Sequence, residues 1–151
     1  MFKINHLSIR GFRRLYDIDL EMRPLMVVIG ANGVGKTSLL DTISLLSASA
    51  ESKLNGRLNE MGGITSVLTR GKADELVFLV DMEVPHYKPL KYELHLAAKG
   101  HSYAVSKGML SQQRISKPGS FTRIESHYDD VRNCSFCYRT CFVRPPGEPR
   151  S

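Results

Sequence analysis

Gly30, Gly33 and Gly35 precede Lys36 and Thr37 in the run Gly30-Ala31-Asn32-Gly33-Val34-Gly35-Lys36-Thr37, which fits G-x-x-x-x-G-K-[ST] at every fixed position. A polyphosphate needs many donors around it and little steric bulk. The glycines permit backbone angles and close approach that a side chain would forbid. Amides of such a loop converge on phosphate oxygens, and a helix starting at Lys36 adds unpaired N–H groups and a positive dipole end. Lys36 is placed to reach the β- and γ-phosphates and the Thr37 hydroxyl to ligate Mg²⁺, with Ser38 completing the contact set. The expected nucleotide-binding residues are therefore Gly30, Ala31, Asn32, Gly33, Val34, Gly35, Lys36, Thr37 and Ser38, with ATP and Mg²⁺ as ligands.

The elements that must position such a loop are a strand before it and a helix after it. Residues 25–29 (Leu-Met-Val-Val-Ile) are continuously apolar and are predicted to form a buried strand. Residues 37–46 are predicted to form a helix with Leu39, Leu40, Ile43 and Leu46 on one stripe. A glycine-rich turn matching by chance would lack this flanking pattern.

At 151 residues and 17.0 kDa the chain has room for one sizeable core. A hydrophobic content of 42% and a charged content of 24% are those of an ordinary globular protein. No apolar run is long enough to span a membrane, and no h-region follows Lys3 and Arg10, so a cytoplasmic location is expected. The net charge of +6 invites nucleic acid as a partner, but its distribution argues otherwise. Half of it comes from residues 132–151, where Arg132, Arg139, Arg144 and Arg150 face only Glu148. The rest is dispersed with no dense basic stripe.

That terminal segment differs from what precedes it. Cys134, Cys137 and Cys141 all lie there, with Pro145, Pro146 and Pro149, and apolar periodicity stops near Val131. The expected organisation is a lobe over residues 1–131 and an atypical, disordered tail over 132–151. Cys134-x-x-Cys137 with Cys141 and His127 imitates a zinc site, but a second well-spaced pair is missing, so reduced thiols in a tail are the reading.

In the body of the chain, residues 3–9 alternate apolar with polar, and Phe12 and residues 15–22 continue in strand-like fashion. They are predicted to form an antiparallel pair. Residues 47–59 read as a polar stretch and 65–70 as a short helical turn. Residues 76–84 and 90–98 are predicted to pair as a hairpin, with Tyr92, Leu94 and Leu96 alternating against Lys91, Glu93 and His95. Residues 102–106 and 121–125 are further strand candidates. Two stretches imitate catalytic motifs. Residues 76–81, ending in Asp81, resemble a Walker B strand, yet Met82, Glu83 and Val84 continue the alternation into a hairpin, which is the wrong topology for a parallel core strand. Leu110-Ser111-Gln112-Gln113 resembles Leu-Ser-Gly-Gly without its two glycines, and is read as a decoy. No catalytic residue is identified.

The opening Phe2-Lys-Ile-Asn-His-Leu-Ser-Ile-Arg-Gly-Phe-Arg-Arg-Leu-Tyr16, followed by Val28-Ile-Gly-Ala-Asn-Gly-Val-Gly-Lys-Thr-Ser-Leu-Leu-Asp-Thr-Ile43, resembles the N-terminal half of an ABC-type ATPase head of the RecF, SMC and Rad50 group, often labelled AAA-family ATPases. The resemblance is strong over residues 1–46 and looser to about 130. It implies a mixed α/β fold, specifically the N-terminal lobe of a P-loop NTPase with an antiparallel β-subdomain. It implies ATP hydrolysis in a complete head, a head-to-head homodimer, and a possible role on DNA. It also implies that Arg13 or Arg14 approaches the adenine or α-phosphate, and that Gln112 or Gln113 stands for the family's Q-loop glutamine unless both lie in a surface loop. The family's signature segment, Walker B Asp-Glu and switch histidine are not found, and the odd segment after Val131 suggests truncation by a shifted reading frame. The rival readings are a small P-loop kinase, which needs a parallel core, a GTPase, which needs D-x-x-G and N-K-x-D, and a non-catalytic remnant acting as an interaction module.

Overall fold

The structure, a computed structural model, describes residues 3–85, 88–100, 102–113 and 120–126. The tail with its three cysteines, His127 and the boundary near 131 lie outside the described residues.

Six strands form one sheet in which every neighbouring pair is antiparallel, in the order β2-β1-β3-β4-β5-β6. They are β1 (Lys3–Phe12), β2 (Leu15–Glu21), β3 (Glu75–Glu83), β4 (Leu90–Lys99), β5 (Ser102–Gln113) and β6 (Ser120–Ser126). Three helices, α1 (Lys36–Ala50), α2 (Leu54–Glu60) and α3 (Ile64–Val67), come between β2 and β3. The expected opening pair is β1–β2, with Ile9 opposite Ile18, and the expected hairpin is β3–β4, with Phe78 opposite Leu94.

Period-two alternation sorts the sheet into two faces. Leu7 and Ile9 of β1, Leu76, Phe78 and Val80 of β3, Leu94 and Leu96 of β4, and Tyr103 of β5 point to one side. There they form a single core with Leu45, Leu54, Leu58, Ile64 and Val67 from the helices. The rings of Phe12 and Phe78 meet at 6.4 Å. The opposite face is polar. On it Glu93 takes hydrogen bonds from Lys107 (2.9 Å) and from His95 Nε2 (2.7 Å). Burial pushes the Glu93 carboxyl up, but these two partners outweigh burial and hold it below the ordinary carboxylate range.

Three expectations need correction. Residues 25–29 are not a buried strand: they run as coil with Leu25 81%, Val27 74% and Ile29 89% exposed. Both edges of the sheet are occupied by other strands, β2 and β6, and among the described residues no strand lies beside 25–29 to accept its backbone groups. The buried stripe of α1 is also different. Ser38, Thr42, Leu45 and Ser49 are buried, Leu39 and Leu46 are partly buried, and Leu40 and Ile43 face outward. The small hydroxyl residues let α1 approach closely, and Thr42 satisfies its hydroxyl on the Ser38 carbonyl at 2.9 Å. Finally, the stretch read as polar contains the end of α1 and all but the last residue of α2, whose Leu54 and Leu58 lie one turn apart and reach the core.

Candidate functional site

The glycine loop enters α1 directly. Gly35, at φ 112°, is the residue before the helix, and no side chain caps the N-terminus. The N–H groups of Lys36, Thr37 and Ser38 have no carbonyl a turn earlier in the helix to bond, since the first intrahelical bond runs from the Leu39 N–H to the Gly35 carbonyl at 3.0 Å. The first turn contains no acidic side chain to occupy them. Lys36 curls back over the loop, donating from Nζ to the carbonyls of Gly30 (2.5 Å) and Ala31 (2.7 Å). The loop thus gathers one ammonium and a set of unpaired amides in one place, the donor chemistry a polyphosphate requires.

The β1–β2 turn, Arg13-Arg14, backs this loop. Arg14 donates from Nη1 to the Gly33 carbonyl. A Cβ on Gly33 (φ 84°) would lie 3.1 Å from that guanidinium, and one on Gly35 would lie 3.0 Å from Leu15 Cδ2. The positive φ favours glycine at both positions, and the absence of a Cβ lets the turn's side chains lie close against the loop. Arg13 does not reach the loop. Its guanidinium pairs with Asp41 on α1 and lies 5.6 Å over the Phe12 ring.

Of the residues expected from the sequence, Gly30 to Val34 are exposed, Gly35 and Lys36 are half-buried, and Thr37 is exposed on the first turn. Ser38 is buried, so its side chain belongs to the packing of α1 and its contribution to a ligand is through main-chain N–H. Asp81 lies on the sheet face opposite the core and pairs with Lys91 at 3.6 Å. Gln112 and Gln113 sit on β5 rather than in a surface loop, and Gln112 donates from Nε2 to the Lys88 carbonyl at 3.0 Å. The sequence reading missed Asp41. Its spacing of four residues from Thr37 and three from Ser38, on the first turns of a helix, was the available signal. Among the described residues no cluster of His, Cys, Asp or Glu is arranged to hold a metal by itself, and no helix is long and apolar enough to cross a membrane.

The sequence of residues 2–127 matches the model of a protein family described as AAA ATPase domain. The chain is 44% identical over 43 residues to the OLD nuclease of Thermus scotoductus, a match covering 28% of this chain and 8% of that protein. It is 40% identical over 45 residues to the DNA replication and repair protein RecF of Paenarthrobacter aurescens, covering 29% of this chain and 11% of that one. The chain therefore spans only a small part of the curated relatives it matches. No solved structure matches it.

Proposed function

The chain belongs to the AAA ATPase domain family, and from that premise we propose that residues 30–38 are the Mg-ATP-binding loop of a RecF- and SMC-like ABC-type ATPase whose N-terminal lobe is this chain. The observation that carries the reading is the convergence of Lys36 Nζ and the uncapped first turn of α1 on one glycine loop. Lys36 and the loop amides hold the phosphates, Thr37 holds the metal ion, and Arg14, already at the Gly33 carbonyl, is the arginine of the pair that faces the ligand. In this reading residues 1–131 are the lobe and β1–β6 its antiparallel subdomain. The exposed apolar side chains of Leu25, Val27, Ile29, Leu40 and Ile43 are the surface against which the remainder of such a head packs.

Hydrolysis is a separate matter. It needs a positioned water as well as charge around the γ-phosphoryl. The acidic pair that the sequence offers, Asp81 and Glu83, alternates onto the sheet face away from the core and the helices, so the chain alone binds ATP and turns it over negligibly. The name of the RecF relative brings DNA replication and repair into the proposal as a process.

Equilibrium titration of the full chain with ATP, with and without Mg²⁺, tests the reading. Binding should strengthen with Mg²⁺ in the wild type and much less so in Thr37→Ala. Binding that ignores Mg²⁺ in both would contradict the assignment of Thr37. A phosphate-release assay should give no turnover above that of Lys36→Ala. Lys36-dependent turnover in the range of about 1–10³ s⁻¹ would overturn the binding-only reading.

A further inference from the structure

Arg13 occupies a position where folding alone would favour another residue. Phe12 pairs with Leu15, so Arg13 and Arg14 form a two-residue hairpin turn, and Arg13 holds φ 46°. Positive φ at the first central position of such a turn is the place of glycine, and a long side chain there is strained. The strain is compensated by what the side chain and backbone do. The guanidinium pairs with Asp41, it lies over the Phe12 ring, and the Arg13 N–H bonds the Val67 carbonyl at 2.7 Å. Asp41 is only 21% exposed, and its other oxygen stands 3.9 Å from Arg57 on α2. Arg57 in turn donates to Glu60 at 2.8 Å, which fixes it on its own helix.

We propose that Asp41 is a positioning residue for the nucleotide loop: by holding Arg13 in the left-handed turn it aims Arg14 at Gly33 and so at the phosphates. The inference rests on the reading of residues 30–38 as the ATP loop. The link is one of chain geometry. Arg13 and Arg14 are consecutive in a two-residue turn, so fixing the first against α1 fixes the direction in which the second leaves. Asp41 lies one turn beyond Thr37 on the helix that begins the loop's anion site, so the latch ties the turn to the same rigid element that carries Lys36 and Thr37. Arg57, 3.9 Å from the other Asp41 oxygen, brings α2 to the same carboxylate.

An ordinary structural ion pair would give a different result from a positioning one, and a double-mutant cycle separates them. Mg-ATP affinity and melting temperature are measured on the full chain for wild type, Asp41→Asn, Arg14→Ala and the double variant. Asp41→Asn should weaken Mg-ATP about tenfold. In the Arg14→Ala background the same change should have little further effect on binding, while its effect on melting temperature is the same in both backgrounds. Arg13→Met, which keeps side-chain bulk at the turn but cannot pair with Asp41, should reproduce the loss of affinity and supplies the second variant if Asp41→Asn folds poorly. Equal losses of affinity with and without Arg14 would overturn the latch and leave the ATP reading intact. Absence of Mg-ATP binding by the wild type would overturn both.

Discussion

The sheet and the segment before the P-loop are the two contrasting regions of this molecule. Along β1, β3 and β4 the strands have partners on both sides, and Leu7, Ile9, Phe78, Leu94 and Leu96 are buried under the helices. Residues 25–29 are as apolar as any strand in the sheet, yet run as exposed coil, and among the described residues no strand lies beside them. Apolar content decides whether a segment seeks burial. A strand also needs a neighbour for its N–H and C=O groups. The glycine loop nevertheless has support: Arg14 and Leu15 back it from one side and α1 extends from its end.

The largest expected effect lies in the buried region. Phe78→Ala removes a fully buried ring that meets Phe12, and should cost about 3–5 kcal/mol in chemical denaturation. Ile29→Ala, at an equally apolar residue, should change stability by less than about 0.5 kcal/mol. A similar loss at both positions would show that 25–29 is packed in solution and would erase the contrast.

Much of this was legible in the sequence. The antiparallel pair β1–β2 and the β3–β4 hairpin follow from alternation, which survives in a sheet with one polar face. The hairpin setting of Asp81 was legible, because alternation through Met82 and Glu83 implies a strand that turns straight back into an antiparallel partner. The coil at 25–29 was not legible: a run of Leu, Val and Ile says that burial is favourable but not whether a partner strand is present. The stripe of α1 was missed because three of its four buried positions, Ser38, Thr42 and Ser49, are suited to close approach rather than hydrophobic. The choice between Arg13 and Arg14 could not be made from adjacent identical residues. It took the turn's φ and the position of Asp41 to separate them.

A smaller effect should appear on the polar face of the sheet. Glu93 has its carboxyl held below the ordinary range, so its contribution is present above the unfolded carboxylate pKa, about 4.3, and is lost as pH falls through the lower folded value. Glu93→Gln should therefore flatten part of the acid limb of a stability–pH curve and leave the curve's shape above pH 6 unchanged. An acid limb identical to that of the wild type would show that Lys107 and His95 do not hold the carboxylate in solution.

The most direct measurement is calorimetric titration of Mg-ATP into the full chain and into Lys36→Ala, with a melting curve for each. Lys36 is half-buried and, among the described residues, bonds loop carbonyls rather than the sheet, so its removal should leave the sheet intact and melting temperature nearly unchanged. Binding should weaken by about 1.5–3 kcal/mol, the worth of a charge-assisted contact. Equal affinity in the two proteins would contradict the assignment of residues 30–38 as the nucleotide site.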